Sequence, residues 1–257
     1  MTAAEILLSR WAAGERIAQL PEAVRPKDRA GAYGIAADLA GLTGDRVAGW
    51  KIAATSAAGQ KHINVEGPLI GRIYGKRVLP PGAEVSLAGN AMRVAEAEFA
   101  FRFARDLPPR DAPYTEEECL ATVSALHLSI EIPDSRYEDF TKVGAAQLIA
   151  DTACAHWLVL GPEVEADWRG LDLSAHQVTG FRNGTKMAEG TGKAVLGGPV
   201  IALAWFVNEA ARFCGGVKKG QFVTTGTCIT PMALFPGDAV SADYGVLGTI
   251  RMRIAPG

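Results

Sequence analysis

The segment Ala95-Glu96-Ala97-Glu98-Phe99-Ala100-Phe101-Arg102-Phe103 alternates with the period of a β-strand. Glu96 and Glu98 then share one face with Ala100, while Ala97, Phe99, Phe101 and Phe103 share the other. Three phenylalanines require a core, so this strand is packed. Two carboxylates two residues apart on a packed strand repel each other and resist desolvation. Either their face is solvated and they pair with Lys or Arg, or a hard divalent cation gathers them. A second segment, Leu126-His-Leu-Ser-Ile-Glu-Ile-Pro-Asp-Ser-Arg136, repeats the pattern. Leu126, Leu128, Ile130 and Ile132 fall on one face, and His127, Ser129 and Glu131 on the other. Glu96, Glu98 and Glu131 together would form an all-oxygen ligand set, suited to Mg²⁺ or Mn²⁺ rather than zinc. Periodicity alone leaves open whether the two strands are neighbours.

Lys51 is the third candidate, flanked by Trp50 and Ile52 in an otherwise apolar stretch. It is either a surface lysine or one whose pKa is lowered by apolar surroundings for proton transfer. The histidines, His62, His127, His156 and His176, are too scattered to suggest a metal cluster. His127 is the one to watch, because it shares a face with Glu131. Gly190-Thr-Gly192-Lys193 is only a fragment of a phosphate loop, with Ala194 where a Ser or Thr would bind Mg²⁺. Neither G-x-S-x-G nor H-E-x-x-H occurs.

These residues need elements to position them. Helical spacing predicts helices over Ala4 to Ala13 and Lys27 to Leu42, followed by a buried strand from Val47 to Ala54. Pro68 and the Pro80-Pro81-Gly82 turn mark a change in the kind of sequence. We place a soft boundary near residue 75, dividing a helical region, 1–75, from a β-rich body, 76–257. In the body, Thr115-Glu-Glu-Glu118 is a capping box opening a helix to about Leu126. Asn183-Gly184 between two strand-like arms predicts a hairpin over Val178 to Gly190. Pro199 is placed to start a helix and Gly215 to end it. Phe222 to Thr225, Ala239 to Ala242 and Thr249 to Arg253 read as closing strands.

Composition narrows the function classes. Of 257 residues, 48% are hydrophobic and 21% charged, which excludes global disorder. Lys plus Arg number 26 against 28 acids, a net charge of −2, so no basic excess exists to hold nucleic acid. Cys119, Cys154, Cys214 and Cys228 form no C-x-x-C pair and read as free thiols of a reducing compartment. The opening stretch lacks a basic region and a long apolar core, so no signal peptide is expected. The apolar run Ala194 to Val207 is interrupted by Gly197, Gly198 and Pro199 and is too short to span a bilayer. The expectation is a cytoplasmic protein that meets no membrane.

In the order and spacing of its motifs the sequence resembles the 2-keto-4-pentenoate hydratase and 4-oxalocrotonate decarboxylase family, within the fumarylacetoacetate hydrolase superfamily. The motifs are Gly49-Trp-Lys-Ile52, Ala95-Glu-Ala-Glu98, Glu131-Ile-Pro-Asp-Ser-Arg136, Asn183-Gly184, Gly226 to Pro231 and Pro236-Gly-Asp238. The resemblance implies an α+β fold, with a helical N-terminal part and a mixed β-roll or β-sandwich behind it. It implies homo-oligomers, metal ligands at Glu96, Glu98 and Glu131, and an active-site lysine at Lys51. It further implies substrate-binding positions at Leu69, Asp151, Cys154 and Lys186. The implied ligand is a 2-oxo or 2-hydroxydienoic acid that chelates the metal through its carboxylate and C2 oxygen.

This chain departs from the family pattern in places. Leu69 stands where many hydratases carry an acid, Cys154 follows Ala150-Asp-Thr-Ala153 where a small polar residue is common, and Gly197-Gly-Pro199 replaces Gly-His-Pro. The leading expectation is a hydratase of 2-hydroxy-2,4-dienoates from aromatic-ring catabolism. Behind it stand a decarboxylase of a 2-oxo dicarboxylate, a C–C hydrolase of an acylpyruvate, and a keto-acid-binding homologue without turnover.

Overall fold

Two helices open the chain, α1 (Ala3–Ala13) and α2 (Arg29–Thr43), in a computed structural model that describes residues 1–257. Thr2 and Glu5 cap α1 reciprocally: the Glu5 N–H donates to Thr2 Oγ1 and the Thr2 N–H to Glu5 Oε2. Asp28 caps α2 by accepting from the Gly31 N–H. Next come β1 (Val47–Ala53), the short α3 (Ala57–His62), β2 (Leu69–Tyr74), β3 (Val78–Leu79) and β4 (Glu84–Val85). The long strand β5 (Val94–Phe103) is joined through α4 (Glu116–Leu120) to β6 (Val123–Ile132). Then follow α5 (Gly144–Ala150), β7 (Trp157–Glu163), β8 (Gln177–Arg182), β9 (Thr185–Thr191) and α6 (Pro199–Phe213). The chain closes with β10 (Phe222–Thr227), β11 (Met232–Ala233), β12 (Ala239–Asp243) and β13 (Thr249–Ile254).

One sheet runs in the order β2-β1-β10-β5-β6-β7-β3, with β11 beside β5. A second, in the order β4-β13-β12-β8-β9, packs against it. The architecture is therefore the expected α+β one, helices first and a β-roll behind. Phe99, Phe101 and Phe103 are buried, as their spacing demanded. Phe103 and Trp50 both meet Phe206 of α6, at ring centroids 6.1 and 5.8 Å apart, and Phe99 meets Tyr244 edge-on at 5.2 Å. Burial of such rings, roughly 1.5–3 kcal/mol each, fixes this face of β5 and β1 inward. Their alternate residues must then point the other way.

Two expectations change. The helix after Thr115 ends at Leu120 instead of Leu126, because the chain turns at Thr122 and β-branched Val123 enters the sheet, where it pairs with Phe103. Either side of residue 75 the strands belong to one sheet: β1 and β2 pair with each other, and β1 pairs with β10. The apolar run is also longer than expected. Gly192–Phe213 has the length and hydropathy to cross a membrane, yet only Pro199–Phe213 is α-helix, and its Leu203, Phe206 and Val207 lie in the core.

Candidate metal centre

Register decides what periodicity could not. Strands β5 and β6 are antiparallel neighbours, with Glu96 opposite Glu131 and Glu98 opposite Ser129. Glu96 and Glu98 sit two residues apart on one strand, and Glu131 faces them from the next. One carboxylate oxygen from each lies within 4.8 Å of the others. Lys51 reaches the same face from two strands away, through the paired positions Lys51, Thr224 and Ala100. Its Nζ is 3.1 Å from Glu131 Oε1.

The backbone adapts around these groups. Strand β10 bulges between Thr224 and Thr227, and Gly226 turns there with φ +103°. Its N–H donates to Glu98 Oε2 at 2.8 Å. A Cβ at Gly226 would lie 2.2 Å from Thr55 Oγ1, so only glycine lets the amide approach. On the other flank, Thr152, Ala153 and Cys154 are all left-handed, with φ +52°, +50° and +63°. Such residues cost roughly 1–2 kcal/mol each. A buried clamp holds them: Asp151 pairs with the Arg136 guanidinium and accepts from Ser135 Oγ at 2.8 Å and the Arg136 N–H at 2.9 Å. Gly71 gives the turn room, since a Cβ there would lie 1.8 Å from the Thr152 carbonyl oxygen.

Electrostatically the acidic cluster is incomplete. Three carboxylates face one ammonium, leaving two negative charges uncompensated. Glu98 Oε1 and both Glu131 oxygens are buried without a hydrogen-bond partner, so the Lys51 ammonium is close to Glu131 without aligned bonding. Burial pushes the Glu131 carboxyl up to about 7, with Lys51 opposing and Glu96 adding to the shift. Burial, then Glu131 and Glu96, raise Glu98 well above the usual carboxylate range. Burial likewise raises Glu96. Orphaned buried oxygens of like charge, hard and converging, fit a divalent cation such as Mg²⁺.

Lys51 corrects the sequence reading. Its apolar neighbours suggested a lowered pKa, but Trp50 and Ile52 point to the opposite face. Burial does disfavour its ammonium, yet Glu131, Glu96 and Glu98 outweigh this and hold the pKa above its ordinary value.

Lys51 and Glu96 open onto a cavity of about 750 Å³, whose wall includes Leu69 and Cys154. These two substrate-side expectations therefore meet at the site. Asp151 does not line the cavity; it is fully buried behind it in the clamp with Arg136. Lys186 is itself outside the wall, exposed on the β8–β9 hairpin, and pairs with Glu189, which lines the cavity. Cys154 is no thiolate, since burial and then Asp151 push its thiol up to about 12. His127 is structural: its Nε2 accepts from Arg102 Nε at 3.0 Å and its Nδ1 bonds the Gly161 carbonyl at 2.9 Å. The imidazole that does line the cavity is His62, on α3. Thr55, also in the wall just past the end of β1, and buried Thr224, whose hydroxyl has no partner and which pairing places between Lys51 and Ala100, escaped sequence reasoning. Thr227, in the wall too, belongs to the Gly226 to Pro231 motif.

Comparison with known proteins agrees with this geometry. Residues 61–255 match the family of the fumarylacetoacetate (FAA) hydrolase C-terminal domain. The chain is 30% identical over 243 residues to a 2-keto-4-pentenoate hydratase of Burkholderia vietnamiensis, covering 93% of this chain and 91% of that one. It is 32% identical over 213 residues to a 2-hydroxyhexa-2,4-dienoate hydratase of Comamonas testosteroni, covering 82% and 79%. The solved structure of 4-oxalocrotonate decarboxylase from Pseudomonas putida G7, complexed with magnesium and adipate, superposes with a TM-score of 0.88 at 25% identity. That match covers 98% of this chain and 95% of the other. The chain belongs to the fumarylacetoacetate hydrolase family, in the branch of 2-keto-4-pentenoate hydratases and 4-oxalocrotonate decarboxylases.

Proposed function

We propose that this protein is a divalent-metal-dependent hydratase that adds water to a 2-hydroxy-2,4-dienoate, giving a 4-hydroxy-2-oxo acid. The observation that carries this is the cluster of three carboxylates beside Lys51: Glu96 on the wall of a large cavity, with the buried, under-bonded Glu98 and Glu131 behind it. The hydratase relatives give the reaction, and the magnesium in the decarboxylase structure supports the ligand set. Glu96, Glu98 and Glu131 would hold Mg²⁺ or Mn²⁺, which supplies Lewis-acid stabilisation of negative charge at the C2 oxygen of a chelating 2-oxo acid.

The rest falls to the chain itself. Lys51 Nζ, beside Glu131, can carry a proton as the dienol loses its C2 hydroxyl proton and gains one at C5 to become an α,β-unsaturated ketone. Water would then add across the remaining double bond, its oxygen to C4 and its proton to C3. The clamped turn at Thr152 to Cys154 closes the cavity beside Lys51 and keeps bulk water from its ammonium. Leu69 faces the cavity on the same side of the sheet as Lys51, through the paired positions Lys51–Gly71 and Ala53–Leu69.

The proposal extends to a homo-oligomer in the cytoplasm. Four free cysteines, three of them buried, support a reducing compartment. Decarboxylation of a 2-oxo dicarboxylate is the second reading, favoured by the likeness to the decarboxylase structure. The test is to mix protein, Mg²⁺ and freshly generated 2-hydroxypenta-2,4-dienoate and follow products by proton NMR. The proposal expects 4-hydroxy-2-oxopentanoate. Ketonisation or exchange at C3 without hydration would overturn it and turn attention to 2-oxo dicarboxylates.

A further inference from the structure

The cavity is far larger than its metal end requires. A volume of about 750 Å³ lies within the range of roughly 300–1,000 Å³ typical of sites for drug-sized ligands. A five-carbon dienoate would occupy a small part of it. What lines the remainder therefore bears on which substrate the site was built for.

The wall is apolar and poor in cations. Ile63, Leu69, Met92, Phe140 and Ile229 all contribute to it. No arginine lines the cavity, and its one lysine is Lys51, already faced by Glu131, Glu96 and Glu98. The nearest candidate on the adjoining strand, Arg72, is paired with Trp50 in the sheet and points to the other face. Its guanidinium lies over the Trp50 ring, 4.9 Å from the centroid. The acids in the lining are Glu96, in the metal cluster, and Glu189, which is paired with Lys186. His62 packs its ring edge-on to Phe140, with centroids 6.0 Å apart.

We infer that the site selects 2-oxo or 2-hydroxydienoic monocarboxylates with an extended apolar tail, alkyl or aryl, and discriminates against a second carboxylate on that tail. The inference rests on the chelating keto-acid reading above and sharpens it. The first carboxylate is met at the metal centre. A second would enter an apolar wall with no arginine and no unpaired lysine, where an unpaired charge is heavily penalised. A methylene in the same place gains roughly fourfold in binding by leaving water. Leu69 takes part directly, because it presents an isobutyl group where the strand alternation aims a side chain at the cavity.

The experiment measures binding, so that it does not depend on turnover. Calorimetry with Mg²⁺-loaded protein would compare 2-oxobutanoate, 2-oxooctanoate and 2-oxoadipate. The expected order is 2-oxooctanoate tightest, by about thirtyfold or more over 2-oxobutanoate, and 2-oxoadipate no tighter than 2-oxobutanoate. If 2-oxoadipate binds as well as 2-oxooctanoate, the inference fails while the hydratase reading stands on its own NMR test. If the tail preference appears but 2-hydroxypenta-2,4-dienoate is not hydrated, the inference stands and the hydratase reading fails. If none of the three binds with Mg²⁺ present, both fail. Two half-buried wall residues give a gain-of-function check. Ile63→Arg and Met92→Arg should each tighten 2-oxoadipate about tenfold and weaken 2-oxooctanoate. No change in either variant would overturn the assignment of this wall to the tail.

Discussion

Two groups of buried charges adjoin the turn at Asp151 to Cys154, and they differ in how fully they are satisfied. In the Arg136–Asp151 pair, Asp151 takes the guanidinium, the Ser135 hydroxyl and a backbone N–H, and no side-chain atom of either residue is left over. In the Glu96, Glu98 and Glu131 cluster, one ammonium faces three carboxylates and three buried oxygens have no aligned hydrogen bond, the Lys51–Glu131 ion pair being the only contact made to them. The closed group clamps strained backbone. The open group is destabilising unless a cation joins it. Burial alone does not separate a structural charge from a functional one; completeness of bonding does.

Breaking the closed pair should have the largest effect on the fold. Asp151→Ala leaves the Arg136 charge buried and unpaired, and should cost roughly 3–5 kcal/mol in urea unfolding. A loss below about 1 kcal/mol would mean that the clamp is not what holds the left-handed turn.

The open cluster should respond to pH in its own direction. Glu131 is raised from 4.5 to about 7 in the folded protein, and Glu96 and Glu98 are raised too. A raised acid lends stability below its unfolded pKa and loses it as pH climbs through the folded value. In EDTA, stability should therefore fall between about pH 5 and 8, by on the order of a few kcal/mol. Added Mg²⁺ should raise Tm more at pH 8 than at pH 6, since the ligands must be ionised. Thermal unfolding at the two pH values checks this, and an equal Mg²⁺ shift would contradict it.

Glu98→Gln sharpens the contrast further. It should weaken Mg²⁺ binding by about a hundredfold or more in calorimetry, while Tm in EDTA stays level or rises because a buried acid that resists ionisation is replaced by a neutral amide. Lys51→Met should keep Mg²⁺ affinity within a few-fold, yet slow exchange at C3 of a 2-oxo acid by about a hundredfold or more, as read by NMR. Unchanged exchange would remove Lys51 from the chemistry. The smallest effect concerns Cys154. With its thiol raised to about 12, it should resist iodoacetamide at pH 8 in the folded protein, as read by mass spectrometry.

The strand alternation around Glu96 and Glu98, the hairpin at Asn183-Gly184 and the start of α6 were legible in the sequence because each is a local pattern. The pairing of Glu96 with Glu131 was not, since register is fixed by long-range contacts. Lys51 misled for a definite reason: in a strand, the residues on either side face away, so Trp50 and Ile52 described the surroundings of Phe206 instead. Lys186 sits on a hairpin arm at the sheet edge, where its charge is exposed and meets Glu189 of the cavity wall. Asp151 was the right residue to notice but belongs to the clamp behind the cavity wall, a role that only its fully buried partner Arg136 reveals.

Whether the three glutamates hold a cation is decided by a crystal grown with Mn²⁺. One anomalous peak per chain is expected, within ligand distance of a carboxylate oxygen from each of Glu96, Glu98 and Glu131. A clear map at millimolar Mn²⁺ with no peak there, and Lys51 still paired with Glu131, would contradict it.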